Sequence, residues 1–213
     1  MIMACAAPVV QAHPHMWIDA RARIAFDAQG RMAAIQQDWQ FDEMFGAYTT
    51  QGLEMGPDGS LPAKTLQGMA KDWMDALGDP ISHYFTRVTL NGQTLPFAEP
   101  RDAVVRWNPQ NQRLTLSFTL PLAQPVTPGD GGKGVQIDIY DPTYFVAYAF
   151  DAPGAVALHD APKGCGQAYR PPRELDWQTM QQLAAIPADP DALPEELFAI
   201  TKGLTHHIEV TCP

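Results

Sequence analysis

Apolar and polar residues alternate strictly over residues 15–27. Met16, Ile18, Ala20, Ala22 and Ile24 fall on one side, and His15, Trp17, Asp19, Arg21 and Arg23 on the other. That period of two is the pattern of a half-buried strand. Asp27-Ala28-Gln29-Gly30 supplies a turn, and residues 32–42 read as the returning strand. The period then lengthens, and residues 43–55 and 62–78 are expected helices. In the second, Leu66, Met69, Ala70, Trp73, Met74 and Leu77 recur at helical spacing and Gly78 ends the run. Gly56, Pro57, Asp58 and Gly59 make residues 53–62 a loop between them.

Strands return in the middle of the chain. Residues 84–90 and 93–97 flank Asn91-Gly92, a strong hairpin signal. Residues 103–107 and 113–121 flank a turn at Asn108-Pro109-Gln110-Asn111. A Gly/Pro-rich loop over 124–134 leads to strands at 135–140 and 144–150. After a loop holding Cys165, helices are expected at 175–186 and 195–202, and a last strand at 206–211. No internal repeat is evident. The expectation is an α+β fold of mainly antiparallel sheet, with helices inserted after the first hairpin and near the C-terminus. Residues 13–213 read as one domain, and a division into two subdomains near residue 80 stays open.

Composition narrows the function classes. The 213 residues are 46% hydrophobic and 18% charged, as in ordinary globular proteins. The formal net charge of −10 repels phosphate backbones, so nucleic acid is not an expected partner. No apolar run after the first residues approaches the roughly 18 that a membrane helix requires, so no span is expected in the mature chain.

Residues 1–12, MIMACAAPVVQA, are uncharged and end in Val10-Gln11-Ala12, which a signal peptidase would accept. They read as the remnant of a signal peptide, with cleavage after Ala12 leaving His13 first. Cys5 would be lost with it, or would serve as a lipidation cysteine. Cys165 and Cys212 then remain, an even number suited to an oxidising compartment such as the periplasm. Paired, they are worth about 3–4 kcal/mol in the chain-entropy model. Two free buried thiols are the alternative.

His13-Pro14-His15 is the strongest chemical signal. Histidines two apart on a strand project to one side and can chelate a borderline metal. A first-position His13 would add its α-amino group, the brace arrangement used for copper. Pro14 lacks the N–H that the three-residue amino-terminal nickel/copper motif requires. Imidazole suits Zn, Ni, Co and Cu alike, so the metal's identity stays open. With a two-residue turn at Ala28-Gln29, Asp19 faces Asp38 and His15 faces Asp42. A one-residue bulge brings Glu43 opposite His15 instead. Either carboxylate would stand about 5 Å across the ladder and could complete the site. The bland alternative is a surface ion pair.

Elsewhere, Asp141-Pro142-Thr143 reads first as a turn, with Asp141 a further candidate ligand. His206 and His207, as neighbours on a strand, point to opposite faces and cannot both reach one ion. One is expected packed and the other exposed. His83 and His159 are isolated. No nucleophile elbow, P-loop, dinucleotide fingerprint or H-E-x-x-H is present, and no catalytic residues are expected.

The opening Ala-His-Pro-His-Met-Trp-Ile-Asp-Ala-Arg, Trp39-Gln40-Phe41-Asp42-Glu43 and Tyr140-Asp141-Pro142-Thr143-Tyr144-Phe145 together resemble the domain-of-unknown-function 1007 family. A last strand ending Thr211-Cys212 fits too, and the resemblance covers essentially the whole mature chain. It implies an exported periplasmic component of an uncharacterised ABC-type transport system, associated with NicO-type nickel/cobalt permeases. It carries over no catalytic residue. The expected function is that of a divalent-metal-binding accessory protein (nickel, cobalt or zinc), not an enzyme, working with an inner-membrane metal permease. Two rivals stand beside it: a copper histidine-brace protein with oxidative activity, and a purely structural or partner-binding envelope domain.

Overall fold

A computed structural model describes residues 14–80, 82–129, 134–174, 176–184 and 202–213. The signal-peptide reading of residues 1–12, Cys5 and His13 lie outside the described residues, as does the expected helix at 195–202 apart from Lys202.

The alternating N-terminal segments form β1 (Met16–Phe26) and β2 (Met32–Phe41). They are followed by α1 (Glu43–Thr50) and α2 (Ala63–Leu77). The middle of the chain gives β3 (Thr86–Leu90), β4 (Gln93–Leu95), β5 (Arg101–Asn108) and β6 (Arg113–Val126). Then come β7 (Val135–Ile139), β8 (Val146–Ala149), β9 (Val156–His159) and β10 (Gly166–Arg170). The last elements are α3 (Trp177–Ala184), begun by Asp176 accepting from the Thr179 N–H, and β11 (His206–Thr211). The α+β class with mainly antiparallel sheets is as expected.

The strands form two sheets. One runs β5-β6-β2-β1-β8, with β9 also on β1; the other runs β10-β11-β7-β3-β4. The eleven-residue β1 is long enough for β8 and β9 to lie end to end along its free edge, both parallel to it. That parallel edge was not anticipated, because alternation within a strand carries no information on its direction. Strands β9 and β10 also occupy a stretch read as loop. They are only four and five residues long, and residues 160–165 between them hold Pro162 and Gly164, so the pattern there is weak.

Both sheets contribute to one apolar cluster, with Ile18, Ala20, Ala22, Ile24, Ile35 and Leu116 from the first and Val88, Ile137, Ile139 and Ile208 from the second. Trp39 of β2 is the hinge of the packing. It meets Phe118 edge-on at 4.9 Å, Tyr148 at 5.4 Å and Phe85 at 6.4 Å between ring centroids. Its indole N–H donates to Gln37 Oε1, and Gln37 Nε2 donates to Thr86 Oγ1 on the other sheet, so this buried polar group is satisfied. On α1, Gly46 approaches the backbone so closely that a Cβ would lie 2.0 Å from the Gln112 carbonyl oxygen. Phe41, Phe45 and Trp73 lock α1 and α2 against the first sheet.

The hairpin register differs from the expected one by two residues. Asp19 pairs with Gln40 and Arg21 with Asp38, with a bulge near Ala25/Phe26. The turn is longer than two residues: the Asp27 N–H donates to the Arg31 carbonyl, and the Asp27 carboxylate accepts from the Gln29 and Arg31 N–H groups. An even shift keeps every side chain on its expected face but changes which residue it opposes.

The Cys165–Cys212 disulfide is formed, with the two Cα atoms 4.1 Å apart, and fastens the end of β11 beside β10. Among the described residues, no helix is long and apolar enough to cross a membrane.

Candidate functional site

The register decides what stands near His15. The Asp42 N–H donates to the Trp17 carbonyl and the Trp17 N–H donates to Asp42 Oδ2 at 2.8 Å, so Asp42 lies across from Trp17, not His15. Its other oxygen accepts the Phe45 N–H at 2.8 Å and caps α1. Both oxygens of Asp42 thus hold backbone. Glu43, in the first turn of α1, is exposed.

His15 sits at the entry to β1, beside the loop before β8. The His15 and Met16 N–H groups both donate to the Phe145 carbonyl, at 3.0 and 3.2 Å. The half-buried imidazole leans on the Phe145 ring, 4.9 Å between centroids and tilted by 31°. Trp17, on the same side two residues on, is 50% exposed.

Asp141 shapes that loop from inside. It is 4% exposed. Its Oδ1 accepts from the Thr143 N–H and hydroxyl, each at 2.8 Å, and Oδ2 accepts from the Val146 N–H at 2.9 Å. This is the turn expected of Asp-Pro-Thr. Burial raises the Asp141 pKa above the ordinary carboxyl value, and the N–H and hydroxyl donors oppose that rise. Tyr144, at φ +55°, takes the left-handed conformation that closes the turn.

Behind the loop lies a cavity of about 180 Å³. Tyr140, Asp141, Tyr144, Tyr148, Arg173 and His206 give it its polar lining. The expected division of the histidine pair is observed. His207 is exposed and meets Asp138 at 2.6 Å, while His206 is 5% exposed. Nδ1 of His206 is 2.8 Å from the Tyr169 hydroxyl, whose ring stacks on it within 6° of parallel. Burial pushes its pKa down to about 4, against a smaller opposing effect of a hydrogen bond to the Tyr148 backbone. Tyr148 is buried between Trp39 and His206, and its hydroxyl has no hydrogen-bond partner among the described residues.

The structure therefore brings His15 and the Asp141 loop together through Phe145, and sets Asp42 and Glu43 one step along at the start of α1. Among the described residues, no three His, Cys, Asp or Glu side chains are grouped to hold a metal ion. Sequence reasoning missed the cavity. Tyr148, Arg173 and His206 come from separate elements, and only the pairing of sheets joins them.

The matching family model spans residues 1–212 and is described as "Protein of unknown function (DUF1007)". The chain belongs to that family. An uncharacterized protein of Haemophilus influenzae (strain ATCC 51907 / DSM 11121 / KW20 / Rd) is 26% identical over 157 residues, covering 73% of this chain and 71% of the relative. In this DUF1007 protein His15 leads onto the Phe145 shelf, and the Tyr-Asp-Pro-Thr-Tyr-Phe block forms both that shelf and one wall of the cavity.

Proposed function

We propose that this is an exported accessory protein of transition-metal transport, with a divalent ion as cargo captured by His13 and His15. The observation that carries the reading is the placement of His15. Its backbone is fixed by the Phe145 carbonyl and its half-buried ring rests on Phe145, at the start of a long strand and outside the apolar core, so the imidazole is held in place. Imidazole is a ligand for all of nickel, cobalt, zinc and copper. A preorganised ring loses less freedom on binding than one on a loose tail. Of the carboxylates near it, Glu43 suits the role of third ligand better than Asp42 or Asp141, whose oxygens already hold backbone N–H groups. The disulfide and the net charge of −10 fit a cation-handling protein of an oxidising compartment. The ion would pass to or from an inner-membrane permease of the NicO or ABC type.

Titration calorimetry with Zn, Ni, Co and Cu(II), on the parent and a His13→Ala/His15→Ala double variant, tests this. One-site binding weakened at least about tenfold in the variant is expected, since losing even a group that only supports a metal ligand costs about 10–100-fold in affinity. Trp17 gives a second readout, because a bound paramagnetic ion beside it would quench its fluorescence. Equal binding in both proteins would sink the reading.

A further inference from the structure

The cavity behind the 141–146 loop has features that packing does not explain. A tyrosine hydroxyl buried without a partner carries a desolvation cost of about 1–3 kcal/mol, which Phe at the same position would avoid. Tyr148 is such a residue, 8% exposed, and it lines the cavity. Around it the chemistry is mixed in an ordered way. Asp141, deep in the wall, is a carboxylate whose oxygens accept from Thr143 and Val146 and whose charge acts on the neighbouring Tyr148. Tyr140 and Tyr144 add two more rings, and Arg173 stands exposed. Tyrosine rings beside a carboxylate attract an ammonium group through the ring quadrupole and the charge. A guanidinium binds a carboxylate in a fork. His206 is held neutral by burial and is already engaged with Tyr169, so it brings no charge of its own. At about 180 Å³ the cavity is smaller than the roughly 300–1,000 Å³ of drug-sized sites.

We propose that this cavity binds a small zwitterion of the α-amino-acid class. The ammonium group lies against the tyrosine rings and Asp141, and donates to the Tyr148 hydroxyl. The carboxylate lies on Arg173 at the mouth. This site is independent of the metal reading: it uses neither His13 nor His15 and needs no ion.

The test is ligand-observed NMR and calorimetry, without added metal, using glycine, alanine, serine and leucine, with ethylamine and acetate as single-charge controls. The parent, Tyr148→Phe and Arg173→Gln are compared. At least one amino acid should bind saturably, about tenfold or more tighter than either control, because each charged hydrogen bond adds roughly 1.5–3 kcal/mol. Arg173→Gln should abolish the preference over ethylamine. Tyr148→Phe should weaken binding several-fold while leaving the melting temperature unchanged or higher, which separates lost contact from lost fold. The proposal is overturned if no amino acid binds at millimolar concentration, if acetate or ethylamine binds as tightly as the zwitterion, or if all three proteins bind alike.

Discussion

His15 and His206 stand at comparable places, one just before β1 and the other at the first position of β11, and each rests on an aromatic ring. Their surroundings differ in every other respect. β11 is an interior strand between β10 and β7, its far end is fastened by Cys212, and His206 is enclosed by Tyr148, Phe150 and Tyr169. His15 is tied at its backbone to one carbonyl and leans on a ring that is itself 36% exposed. Burial and a hydrogen bond to Tyr169 enclose the His206 ring, whereas the half-buried His15 ring is held beside the Phe145 shelf outside the apolar core. Residue type alone does not distinguish the two.

The sharpest way to break the contrast is to unfasten β11. Cys165→Ala/Cys212→Ala removes a cross-link between residues 47 apart in sequence. It should lower stability by about 3–4 kcal/mol, chiefly by freeing the unfolded chain. Chemical denaturation of parent and variant measures this, and metal affinity at His13 and His15 should not change. A loss of metal affinity equal to that of the histidine double variant would show that the two regions are one site.

Acid acts on the same region with a smaller effect. The folded-state pKa of His206 is depressed to about 4 from an ordinary 6.5, so the unfolded chain binds the proton first. Its contribution is fully present above pH 6.5 and is lost as pH falls from there towards 4. At most about 3 kcal/mol is at stake, taking 1.36 kcal/mol for each tenfold change in proton affinity. The groups facing the imidazole are Tyr148, Phe150 and Tyr169, with the charges of Asp151 and His207 nearby. His206→Phe keeps the ring packing and removes the titration. Its stability should therefore fall less steeply than that of the parent between pH 6.5 and 4. Parallel pH curves would show that burial does not control this histidine.

What was legible in the sequence follows from how local the signal is. The β1–β2 hairpin, α2, the Asp141 turn and the split fates of His206 and His207 rest on alternation, helical spacing or turn chemistry within a few residues. The register of the hairpin was not legible, because it depends on Asp27 accepting from Gln29 and Arg31 and on a bulge at Ala25/Phe26. Nor was the cavity. Tyr148 is brought to His206 only by β8 aligning parallel to β1 and by β11 pairing with β7, contacts that span the chain. Asp42 shows the cost of that gap. From spacing it looked like the carboxylate facing His15, and in the fold it is a helix cap facing Trp17.

Asp42 also yields the mildest prediction, and it separates the two roles that sequence spacing confounds. Ala at this position removes the acceptor for the Phe45 and Trp17 N–H groups and should cost about 1 kcal/mol, the usual loss of a side-chain cap. Asn retains one side-chain oxygen, which can keep the Phe45 cap, but its amide nitrogen then faces the Trp17 N–H, and it lacks the charge. Asp42→Asn should therefore fall between the parent and the Ala variant in denaturation and bind metal as the parent does. Should Asp42→Asn lose about tenfold in metal affinity while staying more stable than Asp42→Ala, the carboxylate is a ligand as well as a cap. If only Glu43→Gln shows that loss, the third ligand comes from the exposed first turn of α1, one residue beyond the cap that positions it.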